Sequence, residues 1–113
     1  MPRRMSLSSE LLPGTLEVLI LKTLTRGPAH GYAIARHLER VSGDVLQVGE
    51  SSLYPALQRL LVNDWVRAEW GESELKRRAR IYKITAAGKK RLAQETGAFS
   101  RVAGVITTIL ESA

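Results

Sequence analysis

The sequence contains no cysteine. Disulfides, thiolate metal sites and cysteine nucleophiles are therefore excluded. Aromatic residues are scarce, with two Trp, three Tyr and one Phe, so the core must rest on Leu, Ile, Val and Ala. There is no long hydrophobic run. The most apolar stretch, Val18 to Leu21, is far too short to span a bilayer. The basic start, Met1-Pro2-Arg3-Arg4-Met5, is not followed by the uniform apolar run and small-residue cleavage site of a signal peptide. These absences lead to the expectation of a cytoplasmic chain with no membrane partner. Catalytic signatures are missing too: no glycine-rich phosphate loop, no paired nucleophile and base, and carboxylates that are scattered along the chain. His30 and His37 are two helical turns apart, too far to share one metal unaided. No catalytic residue, metal or cofactor is expected.

What is present points elsewhere. The 113 residues fit one domain, and 44% hydrophobic with 25% charged residues is ordinary for a globular chain. The net charge is +6, which favours an anionic partner. The excess is also clustered. Lys76, Arg77, Arg78, Arg80, Lys83, Lys89, Lys90 and Arg91 all fall between residues 71 and 91, as an electrostatic footprint on a phosphate backbone requires.

The chain reads as a flexible basic arm over residues 1–10 followed by four helices and a hairpin. The first helix is expected to begin near Pro13, since proline suits a first turn. Its apolar residues, Leu16 to Leu24, cover most of the helix surface and predict a central, buried position. Gly27-Pro28 stops it. A second helix follows Gly31, with Ile34, Leu38 and Val41 on one stripe. Asp44 to Gly49 is a short connection. The third helix is expected to be capped by Ser51 or Ser52, with Pro55 in its first turn. Leu53, Leu57, Leu60 and Leu61 point inward. The opposite face carries Ser51, Tyr54, Gln58 and Val62, flanked by Pro55 and Arg59, groups able to touch phosphates and base edges.

Two strand-like segments follow, Trp65 to Trp70 and Arg80 to Ile84, joined by a polar loop bearing Lys76, Arg77 and Arg78. Trp65 and Trp70 read as hairpin-packing residues, since large aromatics suit strands and cores. The last segment predicts one long helix capped by Thr85 and reaching at least Leu110. Leu92, Thr96, Phe99, Ala103, Ile106 and Leu110 recur at helical spacing, and Val102, Val105 and Ile109 widen the stripe. That stripe outruns the small helical core beside it, and a second copy of the chain is its simplest partner. The fold class is thus mainly α with a small β-hairpin: a winged helix-turn-helix over residues 11–85 and a C-terminal dimerisation helix over residues 86–113. The dimerisation residues are Leu92, Phe99, Val102, Ala103, Ile106, Ile109 and Leu110.

Several runs are specific enough to suggest a family. Leu12-Pro13-Gly14-Thr15-Leu16, Gly31-Tyr32-Ala33-Ile34, Ser52-Leu53-Tyr54-Pro55-Ala56-Leu57-Gln58-Arg59-Leu60 and Arg78-Ala79-Arg80-Ile81-Tyr82-Lys83-Ile84-Thr85-Ala86-Ala87-Gly88 together resemble the PadR-like transcriptional regulators. The single C-terminal helix is similar to the smaller subgroup. The resemblance implies a homodimer that binds double-stranded DNA, usually as a repressor. It also implies DNA contacts from Tyr32, Ser52, Tyr54, Pro55, Gln58 and Arg59, and from Arg77, Arg78 and Arg80 in the wing. Ser51 and Lys76 join this set from their places on the third helix and in the loop. Some relatives hold flat aromatic ligands between aromatics of the last helix. Here that helix offers Phe99 alone, and a small-molecule inducer is left open. The alternative is a protein-interaction or ligand-sensing winged-helix module without strong DNA specificity of its own.

Overall fold

A computed structural model describes residues 14–113. The expected arm, with Arg3 and Arg4, and the helix start at Pro13 lie outside the described residues. The elements run α1 (Thr15–Leu24), β1 (Ala29–His30), α2 (Gly31–Val41), α3 (Glu50–Val62), β2 (Val66–Glu72), β3 (Arg78–Ile84) and α4 (Ala86–Glu111). Gly14 enters α1 at φ 86, a left-handed conformation that favours glycine. Only the second half of α1 is buried, through Ile20, Leu21, Thr23 and Leu24. Thr15 to Leu19 stay half-exposed, contrary to the all-round burial expected. The helix ends at Leu24, before Gly27-Pro28, and Thr25 donates its hydroxyl back to the Lys22 carbonyl.

Helix α2 buries Ile34, Ala35 and Leu38. Val41, expected on the same stripe, is 64% exposed because the last turn projects past the core. The connection to α3 contributes more than expected. Leu46 and Val48 are buried in the core, and Glu39 reaches across to accept from the Val48 amide at 3.3 Å.

Helix α3 begins one turn-position earlier than either serine would allow. Gly49 is its N-cap and no side chain caps it. Ser51 and Ser52 are therefore inside the helix, and Pro55 is its sixth residue, in the second turn rather than the first. The pyrrolidine ring deprives the Ser51 carbonyl of its i+4 donor. That carbonyl belongs to an exposed residue, so water can satisfy it. Leu53, Ala56, Leu57 and Leu60 form the buried face of α3.

The sheet has the order β1-β3-β2 with both pairings antiparallel. The two-residue strand β1, too short to leave a periodic signal, pairs Ala29 with Tyr82 and His30 with Ile81. The hairpin strands are longer than predicted, leaving residues 73–77 as the turn. The Ser73 amide donates to the Arg77 carbonyl and the Lys76 amide to the Ser73 carbonyl. Lys76 takes φ 58 at this tip. Val66, Tyr82 and Ile84 turn inward onto the helices. Among the described residues, Tyr82 is the one aromatic in an otherwise aliphatic core.

Thr85 caps α4 by accepting from the Gly88 amide at 3.0 Å, and its hydroxyl donates to the Asp64 carbonyl at 2.6 Å. Leu92 packs against the core. Beyond it the helix leaves the domain. Its 26 residues span about 39 Å at roughly 1.5 Å each.

Candidate nucleic-acid interface

The buried leucines of α3 determine what its other side shows. Ser51, Tyr54, Pro55, Gln58, Arg59 and Val62 are all exposed, and Ser52 is half-exposed. Ser51, Tyr54, Gln58 and Val62 follow one another along one side, the spacing needed to enter a groove lengthwise. Tyr54 is only 49% exposed because its ring lies against Gly31 at the start of α2. A Cβ at Gly31 would meet Tyr54 Cε1 at 3.4 Å and its phenol oxygen at 3.5 Å. Tyr32, one residue on, is exposed beside it. Its ring lies parallel to that of His30, with centroids 6.5 Å apart.

Arg59 is placed differently from its neighbours. It donates to Glu17 Oε1 of α1 at 2.6 Å. It thereby ties α3 to α1, and any contact with an anion must compete with that carboxylate.

His30 connects the helices to the wing. Its Nδ1 accepts from the Ala33 amide at 3.2 Å and so caps α2. That bond leaves the ring proton on Nε2, which donates to Glu74 in the wing turn at 3.0 Å. The bond from His30 holds the Glu74 carboxyl below its usual range. Among the described residues, no group of three or more His, Asp or Glu side chains could hold a metal ion. His37 bonds instead to the Arg26 guanidinium.

The wing carries the predicted cations on two separate features. Lys76 and Arg77 are exposed at the turn, where the Arg77 amide donates to Ser73 Oγ at 3.3 Å. Arg78 and Arg80 lie on β3 and stack on Trp70 of β2. Trp70 packs within the hairpin through these two arginines rather than against the core, and it is 59% exposed. Trp65 is half-buried against the core, with the Arg91 guanidinium 4.8 Å from its ring centroid. Burial pushes the Tyr82 phenol up, while Arg80 pulls it down and Tyr54 raises it.

Two lysines of the basic cluster, Lys83 and Lys89, are joined by Arg67, which lies outside it in sequence. Arg67, Lys83 and Lys89 line a shallow depression of about 370 Å³ with Ile84, Thr85 and Ala86. Arg67 and Lys83 are cross-strand partners, a relation that needs the register to be seen.

The expected dimerisation residues divide in two. Leu92 is half-buried on the protein's own core and Ala103 is half-exposed. Phe99, Val102, Ile106, Ile109 and Leu110 are each at least 50% exposed on α4, as is Val105 of the same stripe. No described helix is long and apolar enough to cross a membrane.

Comparison with known proteins agrees with this arrangement. The model of the transcriptional regulator PadR-like family matches residues 20–94. An uncharacterized 37.1 kDa protein in transposon TN4556 of Streptomyces fradiae is 40% identical over 88 residues, which is 78% of this chain. The chain spans only 24% of that relative's length. A transcriptional regulator from Clostridium thermocellum superposes with a TM-score of 0.79 at 28% identity, covering 87% of this chain and 95% of that one. A PadR family transcriptional regulator from Eggerthella lenta gives 0.76 at 27% identity, over 88% and 85% of the two chains. With three helices, a hairpin wing and a long terminal helix in the order these regulators share, the chain belongs to the PadR-like family of transcriptional regulators.

Proposed function

We propose that the protein is a sequence-specific repressor that acts in the cytoplasm as a homodimer on a near-palindromic operator. The observation that carries this reading is the exposed polar face of α3 beside an arginine-bearing wing, on a domain whose last helix leaves an apolar stripe uncovered. Two copies joined along α4 bury that stripe. Each then lays α3 in a major groove, with half-sites about one helical turn, or a multiple of it, apart.

Within each half-site the roles divide by chemistry. Tyr54 and Gln58 present hydrogen-bonding groups to base edges, and Val62 presents methyls that suit thymine. Ser51, Ser52 and Tyr32 sit where they can reach the sugar-phosphate backbone. Lys76, Arg77, Arg78 and Arg80 supply affinity that is mostly blind to sequence. Arg59 contributes only by sharing its guanidinium between Glu17 and DNA. Occupancy of the operator blocks transcription, hence repression.

Selection of duplexes from a random pool, followed by binding across a salt series, tests this. An enriched near-palindrome with steep salt dependence supports a dimeric reader. Weak, sequence-blind binding refutes it and points to an interaction module. With the selected duplex, Gln58→Ala should relax preference at one base position, by about 1–3 kcal/mol. Arg78→Ala should weaken all sequences alike. Indistinguishable losses from the two changes would refute the division of roles.

A further inference from the structure

The inner face of the hairpin continues past the core. Val66, Tyr82 and Ile84 on this face are buried against the helices, and Ala68 packs at their edge. Side chains alternate along a strand, so the next residues on the same face are Trp70 of β2 and Arg80 and Arg78 of β3. The register sets Trp70 opposite Arg80 and one step diagonal from Arg78, whose own partner is Glu72. The Arg78 guanidinium carbon is 4.5 Å from the Trp70 ring centroid, and that of Arg80 is 5.7 Å away. The indole thus stands more than half in solvent, and its ring serves as a platform for two cations.

A large apolar ring left this exposed does little for the core. It does restrict two long side chains that would otherwise sample many rotamers. A guanidinium stacked by its face keeps its in-plane N–H groups free along its edge. Stacking and phosphate binding therefore use different parts of the same group and do not compete. Lys76 and Arg77, at the turn, have no ring beneath them among the described residues.

We infer that Trp70 is a positioning residue for DNA binding: its indole holds Arg78 and Arg80 over its ring before DNA arrives. This rests on the wing being a DNA contact. The loss of side-chain freedom is then incurred on folding rather than on binding, which tightens the complex without adding a contact. The ring itself need not touch DNA.

The test compares wild type, Trp70→Ala, Trp70→Phe and Arg78→Ala on a fluorescent duplex of about 30 bp enriched from a random pool, titrated at several salt concentrations. Trp70→Ala should bind about tenfold more weakly for each wing engaged. The slope of log K against log salt should not change, because both arginines still displace counterions. Trp70→Phe, which keeps a ring face, should recover most of the loss. Arg78→Ala should flatten the slope by about 0.9 per wing. Unchanged binding by Trp70→Ala, with wild type binding steeply, overturns this inference and leaves the DNA reading intact. So does a loss that Trp70→Phe fails to restore while both variants melt early, since the ring would then be structural. A wild type that binds no duplex overturns the DNA reading and this inference with it.

Discussion

Replacing Gly88 with alanine should unseat α4 from the winged domain. Gly88 lies in the first turn of that helix and is buried. A Cβ built there would lie 2.0 Å from the Trp65 carbonyl oxygen, 3.0 Å from its carbon and 2.8 Å from Ile84 Cγ1. A carbon against a carbonyl oxygen needs about 3.3 Å or more, so the helix start must retreat by about 1 Å. The obstacle is backbone and cannot swing aside. That backbone is also the acceptor for the Thr85 amide at 3.0 Å, next to the 2.6 Å bond from the Thr85 hydroxyl to Asp64. Weakening both bonds costs about 1 kcal/mol each, and overpacking adds about 1–3 kcal/mol. The gain in helix propensity from glycine to alanine offsets about 1 kcal/mol. The net destabilisation is about 2–4 kcal/mol, or a fall in Tm of roughly 10–20 °C for a domain of this size. Circular dichroism melts at fixed protomer concentration measure it, since dimers melt in a concentration-dependent way. Gly97→Ala is the control, because its Cβ would meet only the end of Arg101 at 3.5 Å. A Gly88→Ala melt coincident with wild type would refute the close approach that the argument depends on.

Ile106→Glu should place two like charges in the apolar seam of the proposed dimer. Dimerisation should weaken at least about a hundredfold by sedimentation velocity, and a dimer that survives unchanged would exclude the α4 stripe as its interface. Glu74→Gln replaces the charge-assisted bond from His30 with a neutral one, so amides of residues 73–77 should exchange faster with solvent. Because the Glu74 carboxyl is held below its usual range, the tether is present above the ordinary carboxylate pKa and is lost as pH falls through the lowered value. His37 should titrate below 6.5 by NMR, since burial and then the charges of Arg26 and Arg40 disfavour its protonated form. Its contribution to stability is accordingly present above the unfolded pKa and fades as pH falls through the folded one; a midpoint at or above 6.5 would contradict this.

Much of this architecture could be read in one dimension because the forces involved are local and periodic. The leucines of α3 recur at helical spacing, and burying them leaves Tyr54, Gln58 and Val62 outside. The cap at Thr85 and the reach of α4 follow from short-range hydrogen bonding and from an uninterrupted stripe. The basic cluster between residues 71 and 91 was visible as plain charge density. Misreadings arose where a residue's role depends on a neighbour far along the chain. Val41 keeps the period of α2 yet projects past the core, and Leu46 and Val48 break no pattern but fill it. Strand β1 has two residues and exists only because β3 supplies its partner. The serine cap predicted for α3 lost to Gly49, since packing set where the helix starts. Trp70 reads as a packing residue of the hairpin, but what it packs on needs the register, which sets two arginines across from it. Arg59 looked free to read bases until the packing of α1 against α3 brought Glu17 within 2.6 Å. Periodicity and capping thus determined which elements form and which side of each is buried. Tertiary structure alone decided which exposed cations are tethered, stacked or free, because that depends on distances between segments tens of residues apart.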